Sequence, residues 1–558
     1  MMTVLLWFDA NPFRYYALGC GAMLVTLVLA VLPAFGSGRY QRRYGASLLF
    51  LGAALLTLLA FRWPPLFVPY LINPDEAQMI AQALTLVHYP IPWKDYDGTT
   101  SGPFNSAVLI WPRFLGLGIG YFSARLTTVA LSFGVLVGLY VAVRNLYGEV
   151  PARLGVLLPL AFFATTTHVD FVCYASEVLS VFLATVAAAL LAAFLRRSER
   201  WAQWQAFAIG VLATTLLFCK LQVIPIAFVL FALALGVIIE GFPRASRVRL
   251  ILRLFEGALV VPLLLLVLVA PSGALHDAVI SYLLAPLAYA AGGPNGFPAG
   301  YPLYKHFAVF AGSAVAIALA AFVLYAAMSR AAGDRTLDNW RPVAATLLLL
   351  LAAFYAIVQP HLSFVHYLYF AVPPVAGCVA CIVGVVLVAL QRTTFARLVP
   401  SVALLLALIA VVPSLWRTVT AENPYLGHLA AFRAFQGYPV DQMLTSEIQP
   451  GERVAVWGWA PQYFVVTQAV MGTRDSIGHF QILPSPYRDY YRQRYLEDLR
   501  TNRPPFFVDA VSPHMLLRIL FDWKTNRYES FPALKAYVNA HYHLQAETDG
   551  VRLFARNG

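Results

Sequence analysis

The sequence predicts an α-helical polytopic membrane protein with about 12 spans, followed by a small C-terminal α/β domain. Of its 558 residues, 60% are apolar and 12% are charged, about half the charged fraction of an ordinary soluble domain. The apolar residues gather in runs of roughly 20, the length that crosses a bilayer core. From about residue 416 onward such runs are absent and charges become frequent. This composition excludes a soluble multidomain enzyme, a disordered scaffold and a coiled coil.

Twelve apolar runs are taken as spans. The first is too long and too weakly flanked by charge for a signal peptide, and no small-residue cleavage site follows it. A Cys-x-x-Cys pair, Cys378 and Cys381, falls inside one span, where helix packing explains small residues better than redox chemistry. The predicted spans are 16–35, 45–62, 122–143, 151–167, 177–195, 205–220, 222–239, 254–270, 306–327, 343–358, 367–390 and 398–415.

Basic residues in the loops predict the orientation. Loops on one side carry seventeen of them, and the opposite loops together with the N-terminal segment carry six. Because basic residues accumulate on the cytoplasmic side, the richer set is expected there. The N-terminus, the loops 63–121 and 271–305 and everything after 416 are then expected outside an inner (cytoplasmic) membrane. This topology also explains the net charge of +12 without a nucleic-acid partner.

Two domains follow from this reading. Residues 1–415 form the transmembrane domain, which includes the outer loop 63–121 with interfacial helices. Residues 416–558 form a soluble extracytoplasmic α/β domain, which has no Gly-rich phosphate loop, zinc spacing or nucleophile elbow and so is not an independent catalytic unit. Its predicted strands are Arg453–Trp459, Phe506–Val511 and Val551–Phe554, and its predicted helices are Tyr487–Arg500 and Met515–Phe521.

The stretch Asn73–Leu84 carries the first candidate site. Pro74 suits the first turn of a helix that Asn73 can cap, and Asp75 and Glu76 favour its positive end. Stabilising the helix start is one explanation for the two acids. Alternatively, they ligate a hard divalent cation, or one of them serves as a general base. The helix has an apolar side, as expected of a helix at the membrane interface.

More polar residues follow in the same loop. Lys94 and Asp97 precede a polar, Gly-rich run that ends near Ser106, which is a turn by default but also offers hydroxyls and backbone N–H groups to a sugar or a phosphate. The segment 106–120 is predicted to be a helix at the membrane edge, because it contains a proline and three glycines.

Further candidates lie at other outer turns. Asp170 lies between two spans, and Lys220 ends another. Snorkelling is one explanation for Lys220, and an anionic partner such as a phosphate is the other. Lys305 and His366 are additional polar groups on the outer face.

Taken as an ordered set, these motifs resemble the membrane glycosyltransferases of the C superfamily (GT-C), especially bacterial relatives of the protein O-mannosyltransferases and the aminoarabinose lipid A transferases. The set comprises the Asp75-Glu76 pair, Gly102-Pro103 followed by Ser123-Ala124-Arg125-Leu126, Asp170, Lys220, and the tail motifs Val456–Pro461 and Thr473-Arg474-Asp475. The chain departs from the family by one extra early span and by Leu-Gln after Lys220, where many relatives have Gly-Pro.

The resemblance implies inverting transfer of a sugar from a polyprenyl-phosphate donor to a hydroxyl of a glycan, lipid or protein acceptor. It implies Asp75 as catalytic base with Glu76 beside it, and Lys220 as the donor-phosphate contact. Asp170 would position acceptor or metal; Lys94, Asp97, Lys305 and His366 are further substrate-binding candidates. Cation use varies in the superfamily, so a divalent cation is left open, with Asp75 and Asp170 as its candidate ligands.

Three other functions remain open from the sequence. A lipid-linked oligosaccharide ligase or polymerase would move a preassembled glycan. A transporter or flippase would have an internal repeat and charges at the bilayer midplane, whereas the charges here cluster at one face. A scaffold would keep the fold without catalysis.

Overall fold

The computed structural model describes residues 2–35, 44–195, 199–292, 340–360, 364–391, 396–514 and 522–558. The predicted span 306–327 and the predicted helix Met515–Phe521 lie outside these residues. Within them, the prediction of a polytopic helical protein with a small C-terminal α/β domain is confirmed.

Helices dominate the first 420 residues. Nine of those in the described ranges are long and apolar enough to cross a membrane, and the other eleven predicted spans all fall on helices. The helices are α1 Met2–Asp9, α2 Pro12–Val31, α3 Tyr44–Leu66, α4 Pro74–His88, α5 Pro103–Ala107, α6 Tyr121–Tyr147, α7 Glu149–Thr165, α8 Val169–Val172, α9 Ser176–Phe194, α10 Glu199–Leu217, α11 Ile224–Gly241, α12 Arg244–Val269, α13 Leu275–Ala278, α14 Ala285–Gly292, α15 Trp340–Val358, α16 Val372–Gln391 and α17 Val399–Thr420.

The backbones of α10 and α12 are in close contact. A Cβ atom added at Gly210 would lie 2.1 Å from the Leu254 carbonyl oxygen, and one at Gly257 would lie 2.0 Å from the Phe207 carbonyl oxygen. Small residues allow such close approach between helices in a membrane. The contact therefore holds the middle of α10 against α12.

The C-terminal domain is built on a five-stranded mixed sheet, with strand order β2-β1-β3-β5-β4. Strand β1 runs parallel to β2 and β3, and β5 runs antiparallel to β3 and β4. In register, Val454 faces both Met471 and Phe506. The strands are β1 Arg453–Trp457, β2 Val470–Met471, β3 Phe506–Asp509, β4 Tyr542–Thr548 and β5 Val551–Arg556, and the helices are α18 Leu429–Ala434, α19 Pro439–Glu447, α20 Gln462–Thr467, α21 His479–Ile482, α22 Arg488–Asn502 and α23 Pro532–His541.

Alternation along the strands gives the sheet two apolar faces. Val454, Val456 and Val508 belong to a core that also includes Ala81 of α4. Ala455, Trp457 and Phe507 belong to a second core, with residues of α22 and α23. The first face of the sheet is therefore completed by a helix of the 63–121 loop, so the sheet and this loop lie on the same side of the molecule.

Helix α4 is enclosed by this docking. Thr85 Oγ1 accepts a hydrogen bond from the backbone N–H of Met471 at 3.1 Å, and Gln82 donates to Ser476 Oγ at 3.1 Å. Residues all around α4 are buried, from Glu76 to Ala83. The prediction of an interfacial helix with one buried, apolar side is therefore wrong. The C-terminal domain covers the polar side of α4 as well, through these hydrogen bonds.

A buried ionic cluster joins the loop to the domain. Arg494 of α22 lies 2.8 Å from Asp97 Oδ2 and also pairs with Asp475, and all three side chains are at most 3% exposed. The backbone N–H of Asp97 donates to the Arg474 carbonyl at 2.7 Å. Burial raises the pKa of Asp475 to about 7 even with Arg494 beside it, and the Asp97 carboxylate contributes in the same direction.

We expect Arg494→Met to lower the free energy of unfolding by about 3–5 kcal/mol at neutral pH, because two carboxylates lose their buried cation. The matched control is Arg500→Met, an exposed arginine of the same helix, which should leave the stability nearly unchanged. Thermal unfolding in detergent measures both.

The loss of stability caused by Arg494→Met should become smaller as the pH falls from about 7 to about 4. A carboxyl whose pKa is raised in the folded state binds its proton more tightly there, so protonation stabilises the fold. A loss of stability that does not change with pH would contradict the proposed role of the cluster.

Candidate functional site

A cavity of about 540 Å³ lies between the membrane helices and the C-terminal domain. Its wall is formed by the start of α4, the loop 99–101, the turns after α8 and α10, the segment around His366 and parts of the C-terminal domain. Four of the sequence-predicted site residues line it: Asp75, Asp170, Lys220 and His366. Their convergence from four separate segments makes this cavity the candidate active site.

Asp75 lies in the first turn of α4. Asn73 caps the helix through Oδ1, which accepts a hydrogen bond from the Asp75 backbone N–H at 2.9 Å. The Asp75 side chain is half-buried at the cavity wall. Burial raises the pKa of its carboxyl above the ordinary 3.8, against the opposing charges of His366 and Lys220. A carboxylate with a raised pKa is a stronger base than an exposed one.

Glu76 points away from the cavity. Its carboxylate forms a fully buried ion pair with Arg125 at 2.9 Å and accepts the Tyr174 backbone N–H at 3.0 Å. Arg125 also donates to the backbone carbonyls of Pro65 and Tyr70, both at 3.1 Å. Glu76 and Arg125 therefore hold α4 against α6 and the preceding loop, which is a structural role.

A chain of alternating charges crosses the cavity wall. His366 Nδ1 lies 3.6 Å from Asp170 Oδ2, and His366 Nε2 lies 3.8 Å from Glu177 Oε1. Lys220 pairs with the same Glu177 oxygen and donates to Ser176 Oγ at 2.8 Å. Burial alone would raise the pKa of the Asp170 carboxyl, but the His366 imidazole holds it below its usual value.

Asp170 is oriented by its neighbours. Its carboxylate accepts a hydrogen bond from Asn73 Nδ2 at 2.7 Å. The short helix α8 that carries it is fixed from below by Arg62, which donates to the carbonyl of Phe171 at 2.8 Å and to that of Val172 at 3.2 Å. Arg62 is thus a buried positioning residue of the membrane part.

The polar run that was predicted to offer hydroxyls reaches the cavity. Thr99, Thr100 and Ser101 line the cavity. The next residue, Gly102, donates its N–H to the Cys219 carbonyl at 2.7 Å, and a Cβ atom there would lie 1.8 Å from the Phe218 carbonyl oxygen. Only glycine fits this approach, and it ties the run to the turn that carries Lys220.

The remaining predicted residues lie elsewhere. Lys94 is exposed and does not line the cavity. Asp97 is buried in the ionic cluster with Arg494. Lys305 lies outside the described residues. The five cysteines are all free, and Cys378 and Cys381 are buried in α16.

Sequence reasoning missed the part of the wall that comes from the C-terminal domain. Trp459, Ile477 and His479 line the cavity, although they are almost 400 residues from Asp75 in the chain. Tyr289 and Tyr355 were also missed. The only available signal was the Trp-rich segment Val456–Pro461, which by itself indicates no position in space.

In the described part of the chain, no group of three or more His, Cys, Asp or Glu side chains is arranged to hold a metal ion. Asp75 and Asp170 supply two carboxylates to one cavity.

Removing the charge of Glu76 and removing the charge of Asp75 should have different effects on the stability of the protein. Glu76→Gln leaves Arg125 buried without its counter-charge, so we expect the free energy of unfolding to fall by about 3–5 kcal/mol. Asp75→Asn should preserve or slightly raise stability, because the folded state disfavours the ionised carboxylate that it removes. Thermal unfolding in detergent compares the pair; equal destabilisation would show that both acids are structural.

Comparison with known proteins addresses the fold. No protein-family model matches the sequence, and no curated protein matches it significantly. Among solved structures, ArnT from Cupriavidus metallidurans in the apo state aligns with a TM-score of 0.51 at 15% identity, over 92% of this chain and 98% of that chain.

Two other solved structures align over most of the chain. ArnT from Cupriavidus metallidurans bound to undecaprenyl phosphate gives a TM-score of 0.49 at 15% identity, over 92% of this chain and 98% of that chain. The oligosaccharyltransferase of Archaeoglobus fulgidus, tethered to an acceptor peptide, gives a TM-score of 0.47 at 11% identity, over 94% of this chain and 75% of that chain. The alignment with apo ArnT, together with the helical architecture, shows that this chain is a polytopic membrane protein with a GT-C-like fold.

Proposed function

We propose that the protein is an inverting glycosyltransferase that moves one sugar from a polyprenyl-phosphate donor to an acceptor hydroxyl at the outer face of the cytoplasmic membrane. The observation that carries this proposal is the convergence of Asp75 and Lys220 on one cavity. A base and a cation in one cavity are what a displacement with an anionic leaving group requires. The GT-C-like fold supports the same reading.

The cavity suits a lipid-linked donor because part of its wall is apolar and exposed. Ile224, Leu283 and Leu287 line the cavity and are 44%, 43% and 51% exposed on the protein surface. Exposed apolar side chains on a membrane protein are suited to contact with lipid. A prenyl chain can therefore remain in the bilayer while its phosphosugar enters between these residues.

Lys220 is the proposed contact for the donor phosphate. An ammonium group has three N–H donors, and within the described residues Ser176 and Glu177 accept two of them. The third donor is available to a phosphate oxygen. Glu177 orients Lys220 through their ion pair, and His366 places an imidazole between Asp170 and Glu177 at the same wall.

The proposed reaction is a single displacement. Asp75 removes the proton of the acceptor hydroxyl as its oxygen attacks the anomeric carbon. The bond from that carbon to the phosphate oxygen breaks, and its electron pair stays on the phosphate, next to Lys220. The products are the glycosylated acceptor, with inverted anomeric configuration, and the polyprenyl phosphate.

A divalent cation fits the chemistry of the two cavity carboxylates. Asp75 and Asp170 offer oxygen ligands, and ions such as Mg²⁺ are often held by one or two carboxylates together with substrate phosphates. When bound, the cation would supply additional positive charge near the leaving group. Asn73 and His366 hold the Asp170 carboxylate in place, and this carboxylate and Asp75 would be the ligands of such a cation.

The acceptor is a glycan, a lipid or a protein that presents a hydroxyl, and its identity is the main question for experiment. The most direct approach is mass spectrometry of the cell-envelope glycans with and without the protein, because this measurement names the sugar and the acceptor together. A cavity of about 540 Å³ is in the range that encloses one small ligand, which favours a single sugar over the preassembled glycan of a ligase.

Replacing Asp75 tests the proposed base. Asp75→Asn should lower the transfer rate by a factor of roughly 10²–10⁴ with the fold intact, whereas Asp489→Asn, an exposed acid of the C-terminal domain, should not. In the wild type, the rate should fall as the medium becomes more acidic, with a midpoint above the ordinary aspartate pKa, because burial raises the pKa of Asp75. Full activity of Asp75→Asn would refute its role.

Replacing Lys220 tests the phosphate contact. We expect Lys220→Met to weaken the binding of undecaprenyl phosphate at least tenfold, equivalent to about 1.4 kcal/mol, and Lys220→Arg to restore part of it. Lys94→Met is the matched control, since Lys94 is exposed and outside the cavity wall. Equal binding by Lys220→Met and the wild type, measured in detergent, would remove Lys220 from the donor site.

A further inference from the structure

His479 places an imidazole of the C-terminal domain in the wall of the cavity. The residue is 4% exposed and lines the cavity, while both of its ring nitrogens are shielded in this conformation. Neither of its ring nitrogens has a hydrogen-bond partner among the described residues. Buried polar atoms in native structures are nearly always hydrogen-bonded, so this cavity-lining residue has hydrogen-bonding capacity that no described residue uses.

Aromatic rings hold this imidazole in place. Its centroid lies 5.3 Å from that of Trp459 in a stacked arrangement and 5.4 Å from that of Tyr289 in an edge contact. Both aromatic residues also line the cavity. The turn before His479 is fixed as well, because the Gly478 N–H donates to the Gly458 carbonyl at 2.8 Å.

The charge state of His479 indicates which kind of ligand group it can bind. Burial lowers the pKa of His479 to about 4, so the imidazole is neutral at physiological pH. A neutral imidazole has one N–H donor and one acceptor nitrogen. This pair matches a hydroxyl group, which both donates and accepts, and it gives no charge attraction for a phosphate.

The position of the ring relates it to the proposed base. Tyr289 contacts His479 on one side, and the Asp75 charge adds to the effect of burial in raising the pKa of Tyr289. Asp75, Tyr289 and His479 all line the same cavity. In the proposed reaction the anomeric carbon lies near Asp75, which brings the ring hydroxyls of the same sugar toward His479.

We propose that His479 is a sugar-binding residue that hydrogen-bonds a hydroxyl of the donor sugar, with Trp459 and Tyr289 as the adjoining aromatic surface. This inference rests on the proposed function. Binding would require rotation about χ2, a soft torsion in histidine, to turn a ring nitrogen toward the cavity. In this proposal the C-terminal domain binds the sugar, whereas Lys220 in the membrane part binds the phosphate.

The test compares two probes, undecaprenyl phosphate and a panel of undecaprenyl-phosphate hexoses and pentoses, by their Kd for purified protein in detergent. The wild type should bind at least one sugar-bearing lipid more tightly than the bare phosphate. His479→Phe keeps an aromatic ring and removes both nitrogens, so it should weaken that lipid about tenfold and leave undecaprenyl phosphate unchanged. His479→Gln, which keeps a donor and an acceptor, should recover part of the difference.

The control is His514→Phe, an exposed histidine of the same domain, which should bind both probes like the wild type. Equal weakening of both probes by His479→Phe would show a structural role, and unchanged binding of the sugar-bearing lipid would show no contact; either result overturns the inference. A wild-type protein that binds undecaprenyl phosphate without preferring any sugar-bearing lipid also overturns it. Failure of the wild type to bind any probe instead overturns the proposed function itself.

Discussion

The docking of the C-terminal domain onto α4 is the constraint on which the cavity depends. Arg494, enclosed by Asp97 and Asp475, joins the domain to the 63–121 loop, while the sheet completes its core with Ala81 of α4. A buried charge cluster of this kind is favourable only when its geometry is complete, which fixes one relative position of the two parts. That position gives the cavity a wall from each part: charged groups from the membrane helices and aromatic groups from the soluble domain.

Within the described ranges, most ionisable side chains at the cavity wall lie next to a group of opposite charge, but Asp75 does not. Asp170, His366, Glu177 and Lys220 form a chain in which each charge has an opposite neighbour, so their burial near the membrane is tolerated. Asp75 stands apart, because its carboxylate accepts no hydrogen bond from the described residues. No described residue therefore competes with a ligand for the oxygens of this carboxylate.

Much of the fold could be predicted from the sequence, because length and apolar runs determine spans and α4 has a clear start in Asn73-Pro74. Convergence of Asp75, Asp170 and Lys220 followed from the expected topology. The separate roles of Asp75 and Glu76 could not be predicted, because they depend on where Arg125 lies. Strand β4 was not predicted, although apolar and polar residues alternate in it, because it follows α23 directly with no turn residues between them. Strand β2 was not predicted because it has two residues. The contribution of His479 required the tertiary structure.

The short strap from Asp97 to Gly102 touches three parts of the molecule. Asp97 forms an ion pair with Arg494 of the soluble domain. The Gly98 carbonyl accepts a hydrogen bond from Gln78 of α4. The Gly102 N–H donates to the carbonyl of Cys219, next to Lys220. Six residues leave little slack between these anchors. The strap therefore links the two parts, and a rigid-body shift of the soluble domain would be transmitted to the turn that carries Lys220.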